Sequence, residues 1–308
     1  MWRESPDSYN SRDENIEPTL PPDYAPADAS GDSLPIMSDN QPVIATLSPA
    51  VLEELREAKD ILEHHGLAER LTSLVGAPIK ASLKLLPDSA EQLLYSAVEK
   101  SLDKALELAV TSLGSHDNLA KKPRLMSHKV LAGLSGAAGG ALGGMSVAAE
   151  LPISTMLILR SVADIARSQG EDLSTLEARL ACLEVLALDP GRAAAASDDA
   201  DLGYLAVRVA MGKQISDATQ YVAKHGLADR AAPPLVQLLH MIGKRFGLVV
   251  SEKLAAQAIP VIGAVGGALI NTYFIGHFQD IARAHFTIRR LEREYGSATI
   301  TEAYRRLA

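Results

Sequence analysis

Two stretches of this chain carry no charge and an excess of glycine, and together they limit what it can fold into. Residues 130–149 read "VLAGLSGAAGGALGGMSVAA" and residues 254–278 read "LAAQAIPVIGAVGGALINTYFIGHF"; neither holds an Asp, Glu, Lys or Arg. A glycine inside a helix costs about 0.8–1.0 kcal/mol relative to alanine, so a helical reading needs a reason for so many of them. Gly136, Gly140 and Gly144 fall four apart, as do Gly139 and Gly143, which makes two neighbouring smooth rows on one helix. Gly263 and Gly267, with Gly266 beside them, make a shorter row that can face the first two. Rows of small residues let a second helix bring its backbone close. The expectation is two glycine-rich apolar helical hairpins packed together. A phosphate-binding loop fails on context: no β-branched strand precedes either run, and neither ends in Gly-Lys-Ser/Thr.

The rest of the body reads as helix. Ser48 and Pro49 supply a cap and a first-turn proline for a helix that ends near His65 and Gly66. Asp88 with Glu91, and Ser174 with Glu177, have the spacing of a capping box. Leu93, Leu94, Val98, Leu102, Leu106 and Val110 recur at threes and fours, and no segment keeps the alternation of a half-buried strand. Breaks fall at Gly114, Gly170, residues 189–191, Gly226 and residues 232–234. The fold class expected is all-α: one multi-helix domain of about ten helices over residues 46–308. Residues 1–45 hold nine acids against two bases, which is -7 of the chain's net -8, and seven of its 16 prolines. With almost no apolar run to offset the entropy of ordering it, this acidic tail is read as disordered. The body is left close to neutral, and no nucleic-acid partner is expected. The opening residues lack the basic start and apolar stretch of a secretory signal, so export is not expected.

Chemistry-bearing motifs are scarce. Cys182 is the only cysteine, which leaves no internal disulfide and no CxxC pair, and its setting in "RLACLEVLAL" suits a small buried hydrophobe. Neither Gly-x-Ser-x-Gly nor His-Glu-x-x-His occurs. His64 and His65 are adjacent and so point to different helix faces, as at a solvated helix end. No metal and no cofactor is expected. The polar residues beside the apolar runs carry the remaining interest. Arg160, Asp164 and Arg167 share one helix face at i, i+4 and i+7, and His277, Asp280 and Arg283 lie similarly close on theirs. Read structurally, these are ion pairs between two core helices. Read chemically, Glu150, Asp164, Asn271, His277 and Asp280 line a polar pocket at the base of the glycine-rich hairpins, with no catalytic residue identifiable. Asp164-Ile165-Ala166-Arg167 also recurs as Asp280-Ile281-Ala282-Arg283, which admits either a degenerate internal repeat or coincidence.

The stretches "AELPISTMLILRSVADIARSQGEDL" (149–173), "CLEVLAL" (182–188) and "IPVIGAVGGALINTYFIGHFQDIARAHFTIRRLEREYG" (259–296) resemble the EcsC family. The resemblance runs from about Val130 to Gly296 and leaves the acidic tail outside. That family is named for a bacterial operon that also encodes an ABC transporter, and its molecular function is not established, so the resemblance suggests a transporter subunit as a partner only by that context and assigns no catalytic residue. Three functions stay open. The first is a non-enzymatic cytoplasmic protein, peripheral on the inner face of the membrane, held by anionic lipid or by a membrane protein such as an ABC-transporter subunit. Lys121, Lys122, Arg124 and Lys129 precede the first run, Lys244, Arg245 and Lys253 the second, and Arg289, Arg290 and Arg293 follow it. Each basic residue near an anionic surface contributes about 1 kcal/mol. Full spanning is disfavoured because glycine and alanine insert poorly. The second function is a soluble all-helical interaction module, and the third an enzyme of unrecognised type using the polar pocket. The first is expected; the oligomeric state is left open.

Overall fold

The computed structural model describes residues 47–76, 78, 79, 83, 88–111, 147–190, 203–225, 232–259 and 263–307, and these residues are built from helices and the turns between them. Ser48 begins the first as its chemistry demands. Its backbone is extended, its hydroxyl accepts the Val51 N–H at 3.3 Å, and Pro49 takes the first turn, where no N–H is needed. The described residues contain nine α-helices and no strand: α1 (Pro49–His64), α2 (Leu67–Val75), α3 (Asp88–Thr111), α4 (Val147–Ser168), α5 (Leu176–Glu184), α6 (Gly203–His225), α7 (Pro233–Gln257), α8 (Gly263–Tyr295) and α9 (Ser297–Arg306). A 3-10 turn, Val185–Ala187, follows α5. All belong to the unit Pro42–Ala308. The tail 1–45 and residues 130–146 of the first glycine-rich run, with Gly136, Gly139, Gly140, Gly143 and Gly144, lie outside the described residues.

α8 is the spine. Its 33 residues extend about 50 Å at 1.5 Å per residue, and α1, α2, α4, α7 and α9 all pack against it. α7 in turn lies on α2, α3 and α6, and α4 on α3. The second glycine-rich run straddles the end of α7 and the first half of α8, with Gly263, Gly266 and Gly267 in the opening turns of α8 and the latter two buried. Three of the four phenylalanines, Phe246, Phe274 and Phe278, meet with ring centroids 5.3–6.3 Å apart. The fourth, Phe286, is also fully buried. These rings belong to the core, and only their neighbour Tyr273 is exposed.

Two helix ends are set by local turns. α5 begins one residue later than the Ser174/Glu177 spacing predicts, because the Asp172 carboxylate takes the Ser174 N–H at 2.9 Å in a side-chain turn. Thr175 becomes the cap, accepting the Ala178 N–H at 3.2 Å. At the end of α4, Gly170 has φ +84°, and the Glu171 N–H returns to the Ala166 carbonyl while the Gly170 N–H returns to that of Arg167, both at 3.0 Å. That is the Schellman arrangement, and it needs a residue without Cβ at its left-handed position. It turns Glu171 back towards α8.

The aromatic cluster sets the first test. Phe278→Ala should cost about 3–5 kcal/mol, as large-to-small changes do in a filled core. Leu93→Ala, at a side chain 55% exposed, should stay within about 0.5 kcal/mol. Denaturant titration of the two variants measures both; equal losses would show that the three rings are not a shared core.

Candidate functional site

α8 crosses an apolar interior while carrying Asn271, His277, Asp280, His285, Arg289, Glu292 and Arg293. An ionisable group without water must be paired or neutral, and along this helix three polar clusters meet that demand.

The first lies at the glycine-rich end. Lys253, near the end of α7 and 1% exposed, donates from Nζ to Glu150 Oε1 at 2.9 Å and to Asn271 Oδ1 at 2.8 Å. The ammonium also sits 4.7 Å from the Phe274 ring centroid, a cation–π contact on a desolvated face. Burial lowers the Lys253 pKa, with the Glu150 carboxylate opposing. Three helices, α4, α7 and α8, are thereby joined at one point.

The second cluster is centred on Asp189, just past the 3-10 turn. Its Oδ2 lies 2.6 Å from His277 Nε2 and accepts the Leu67 N–H at 3.2 Å, so a free donor at the start of α2 is satisfied. Arg245 donates from Nε to the Ala187 carbonyl at 2.6 Å, with Asp189 as its nearby opposite charge. The third cluster is the largest. Arg208 of α6 holds Glu292 with both arms, one bond at 2.7 Å. Arg289 holds Glu171 through bonds of 2.8 and 3.1 Å, and Arg293 joins the same carboxylate. Burial pushes the Glu171 pKa up, but the two arginines outweigh it and keep this carboxyl below its ordinary range. Between these pairs lie Glu184, Tyr204 and His285.

The eight sequence-derived site residues therefore do not converge on one pocket. Glu150 and Asn271 are brought together, but by Lys253. His277 goes to Asp189. Asp164 pairs with Arg167 along α4 at 3.2 Å, and Asp280 pairs with Arg283 on α8 and with Arg70 of α2 at 2.5 Å. Arg160 is exposed. Of the expected ion pairs between core helices, Asp280 with Arg70 joins α8 to α2, whereas at the two Asp-Ile-Ala-Arg stretches Asp164 with Arg167 and Asp280 with Arg283 are pairs within one helix. Both stretches bury Ile and Ala completely and leave Asp and Arg paired at the edge of the core, so they play the same local part.

The basic flanks assigned to headgroups also need correction. Lys253 is fully buried; Arg245 is tied to the Ala187 carbonyl; Arg289 and Arg293 hold Glu171, and Arg290 donates to Glu54 at 2.9 Å and to Gln169 at 2.9 Å. Of these, Lys244 and Arg293 are exposed, and Arg293 is paired with Glu171. Lys121, Lys122, Arg124 and Lys129 lie outside the described residues. Sequence reasoning missed Lys253, Asp189, Glu171, Glu184, Tyr204 and His285 as polar core. One usable signal was "GLVVSEKLAAQA", where a lone Glu-Lys pair interrupts an otherwise uncharged stretch. Cys182 is buried, and burial pushes its thiol up to about 12, so it acts as the small hydrophobe expected. Among the described residues no group of His, Cys, Asp and Glu is set to hold a metal ion.

An all-helical body stitched through its longest helix by buried ion pairs defines the class. The chain belongs to the EcsC protein family, whose model matches residues 49–291. It matches no curated protein and no solved structure.

The Lys253 junction is testable on its own. Lys253→Met leaves the Glu150 carboxylate buried without its cation and should cost about 3–5 kcal/mol, whereas adding Glu150→Leu should recover at least half of that loss. Urea titration of the parent, single and double variants checks this. A double variant no better than the single would show that the two charges are not coupled.

Proposed function

We propose that this chain is a non-catalytic peripheral membrane protein of the EcsC family that docks on the inner face of the membrane through the end where α4 and α8 begin. One observation carries the reading: Ile153, Leu269 and Tyr273 are 56%, 46% and 44% exposed there. Ile153 stands one turn beyond Glu150, and Leu269 and Tyr273 flank Asn271; Glu150 and Asn271 both hold Lys253. At 1.5 Å rise per residue, all three apolar side chains lie within about 5 Å of the axial level of that junction. Leu269 and Tyr273, four apart, also neighbour each other on one face of α8. α4 begins in the last residues of the first glycine-rich, uncharged run and α8 within the second. Such a surface suits shallow insertion, with an aromatic hydroxyl at headgroup level. Among the described residues no helix is long and apolar enough to cross a membrane, so docking rather than spanning is proposed. The acidic tail is proposed to stay outside the contact, since an anionic surface repels it.

Flotation with liposomes tests the reading. The full chain should float with vesicles containing anionic lipid and resist moderate salt once bound. Ile153→Asp, Leu269→Asp and Tyr273→Asp should each weaken binding about tenfold or more, equivalent to about 1.4 kcal/mol, with little change in melting temperature because the sites are exposed. Protein that ignores lipid vesicles but floats with vesicles carrying a transporter would point instead to a membrane-protein receptor. Protein that ignores both would leave the soluble interaction module.

A further inference from the structure

Glu184, the last residue of α5, is 2% exposed and has no cation of its own. The arginines that face it are committed elsewhere, Arg208 to Glu292 and Arg289 to Glu171. Among the described residues its Oε1 has no hydrogen-bond partner, and neither has Nε2 of the fully buried His285. Those two side chains face each other, Oε2 to Nε2, across 3.8 Å, which is beyond a hydrogen bond. The other ring nitrogen, Nδ1, is 2.9 Å from the hydroxyl of buried Tyr204. A neutral imidazole can accept that hydroxyl proton; an imidazolium cannot, and it would stand among arginines. An ionised Glu184 would be a buried carboxylate without a ligand.

We propose that Glu184 and His285, lined up with Tyr204, form a buried binding site for a single proton, which rests on the carboxyl and not on the imidazole and leaves as the surroundings become alkaline. The charges on the packed elements act in both directions: Glu292 favours the proton on Glu184, while Arg208 and Arg289 oppose it there and also keep it off His285, so that burial decides its place. From α6 come Tyr204 and Arg208, from α8 His285, Arg289 and Glu292, and from the turn after α4 Glu171. From α9, Tyr304 places its ring 5.6 Å from that of Tyr204, and from α1, Glu63 and Lys59 act on Tyr304. On α5 itself Cys182 stays a thiol, with Arg167 of α4 and Arg179 among the charges acting on it. Beyond the 3-10 turn Arg245 and Asp189 face one another. Burial, and then the charges of Arg208 and Arg289, hold His285 well below its ordinary value, while burial pushes Glu184 up to about 7. When Glu184 ionises, it can draw the Nε2–H of His285 across the gap, so that losing the proton tightens α5 onto α8.

The signs follow from linkage. Glu184, raised in the folded chain, adds stability that is full below its unfolded value and is lost as pH rises through about 7. His285, lowered in the folded chain, adds stability present above its unfolded value and lost as pH falls through it. In the unfolded chain near pH 6 the proton sits on the histidine, in the folded chain on the glutamic acid, so the two slopes offset each other. Relative to the parent chain, Glu184→Gln should therefore lose stability as pH is lowered from 8 to 6, and His285→Gln should gain it. At the steepest, the unfolding constant should approach a tenfold change per pH unit. Infrared spectra of the folded parent should show a protonated-carboxyl band at pH 6 that is gone at pH 8 and absent from Glu184→Gln. Slopes of equal sign in the two variants would overturn the proposal. So would the lack of that band in the parent at pH 6, a measurement that needs no variant to fold.

Discussion

The constraint on which the rest depends is the desolvation of charge along α8. A 33-residue helix in the middle of an apolar bundle cannot carry amides, histidines and arginines into that interior unless other helices bring their counterparts to meet them. Lys253 is the sharpest case, since an ammonium 1% exposed has no water to fall back on and is held by groups from α4 and α8. Apolar packing alone would let helices slide or rotate past one another. Fixed donors and acceptors at three levels of α8 define its register against α4, α7, α2 and α6, and that argument is about uniqueness more than about net stability. Buried ion pairs often contribute little net energy against an apolar replacement.

Backbone geometry serves the same end. The left-handed Gly170 closes α4 and turns Glu171 back to receive Arg289 and Arg293. Asp189, beyond the 3-10 turn, reaches both His277 and the first N–H of α2. In each place the carboxylate comes from the residues just past a helix end. The two breaks named from sequence, at Gly170 and at residues 189–191, are therefore also the points where the long helix is tied down.

How much of this was legible depended on the range of the interaction. Local chemistry was readable: the Ser48 cap, the Pro49 start, the periodicity of α3 and the all-α class all follow from neighbours in sequence. Ser174 misled by one position because Asp172 competes for its N–H, a contest between two local motifs that spacing alone does not decide. The polar partners were hidden because they are far apart in sequence, 18 residues from Lys253 to Asn271, 103 from Lys253 to Glu150 and 122 from Arg293 to Glu171. Lys253 and Arg289 were read as headgroup cations, since a basic residue beside an apolar run has the same appearance whether it snorkels outward or is drawn inward by an acid on another helix. Glu150 and Asn271 were singled out because they interrupt uncharged or apolar text, and the structure brings those two together.

The two ends of α8 then differ in kind. Arg289, Arg290 and Arg293 lie some 26 to 30 residues beyond Gly263, about 40 Å away along the axis, and their charges are committed to Glu171, Gln169 and Glu54. They are too distant and too well matched to serve a surface at the glycine-rich end, where α8 presents Leu269 and Tyr273. On the proposed docking mode, attraction to anionic lipid must come from elsewhere, and Lys121, Lys122, Arg124 and Lys129, which immediately precede the first run, are the cations whose place in the sequence suits it. The salt-sensitive and apolar parts of membrane binding would thus reside in different segments, the first before the glycine-rich run and the second on the helices beyond it. The buried proton site belongs to neither. It lies where α5, α6 and α8 meet, against the ion-paired half of the spine, so a change in its charge would act on helix packing there and reach the docking end through α8 and through α4, which also packs on α5.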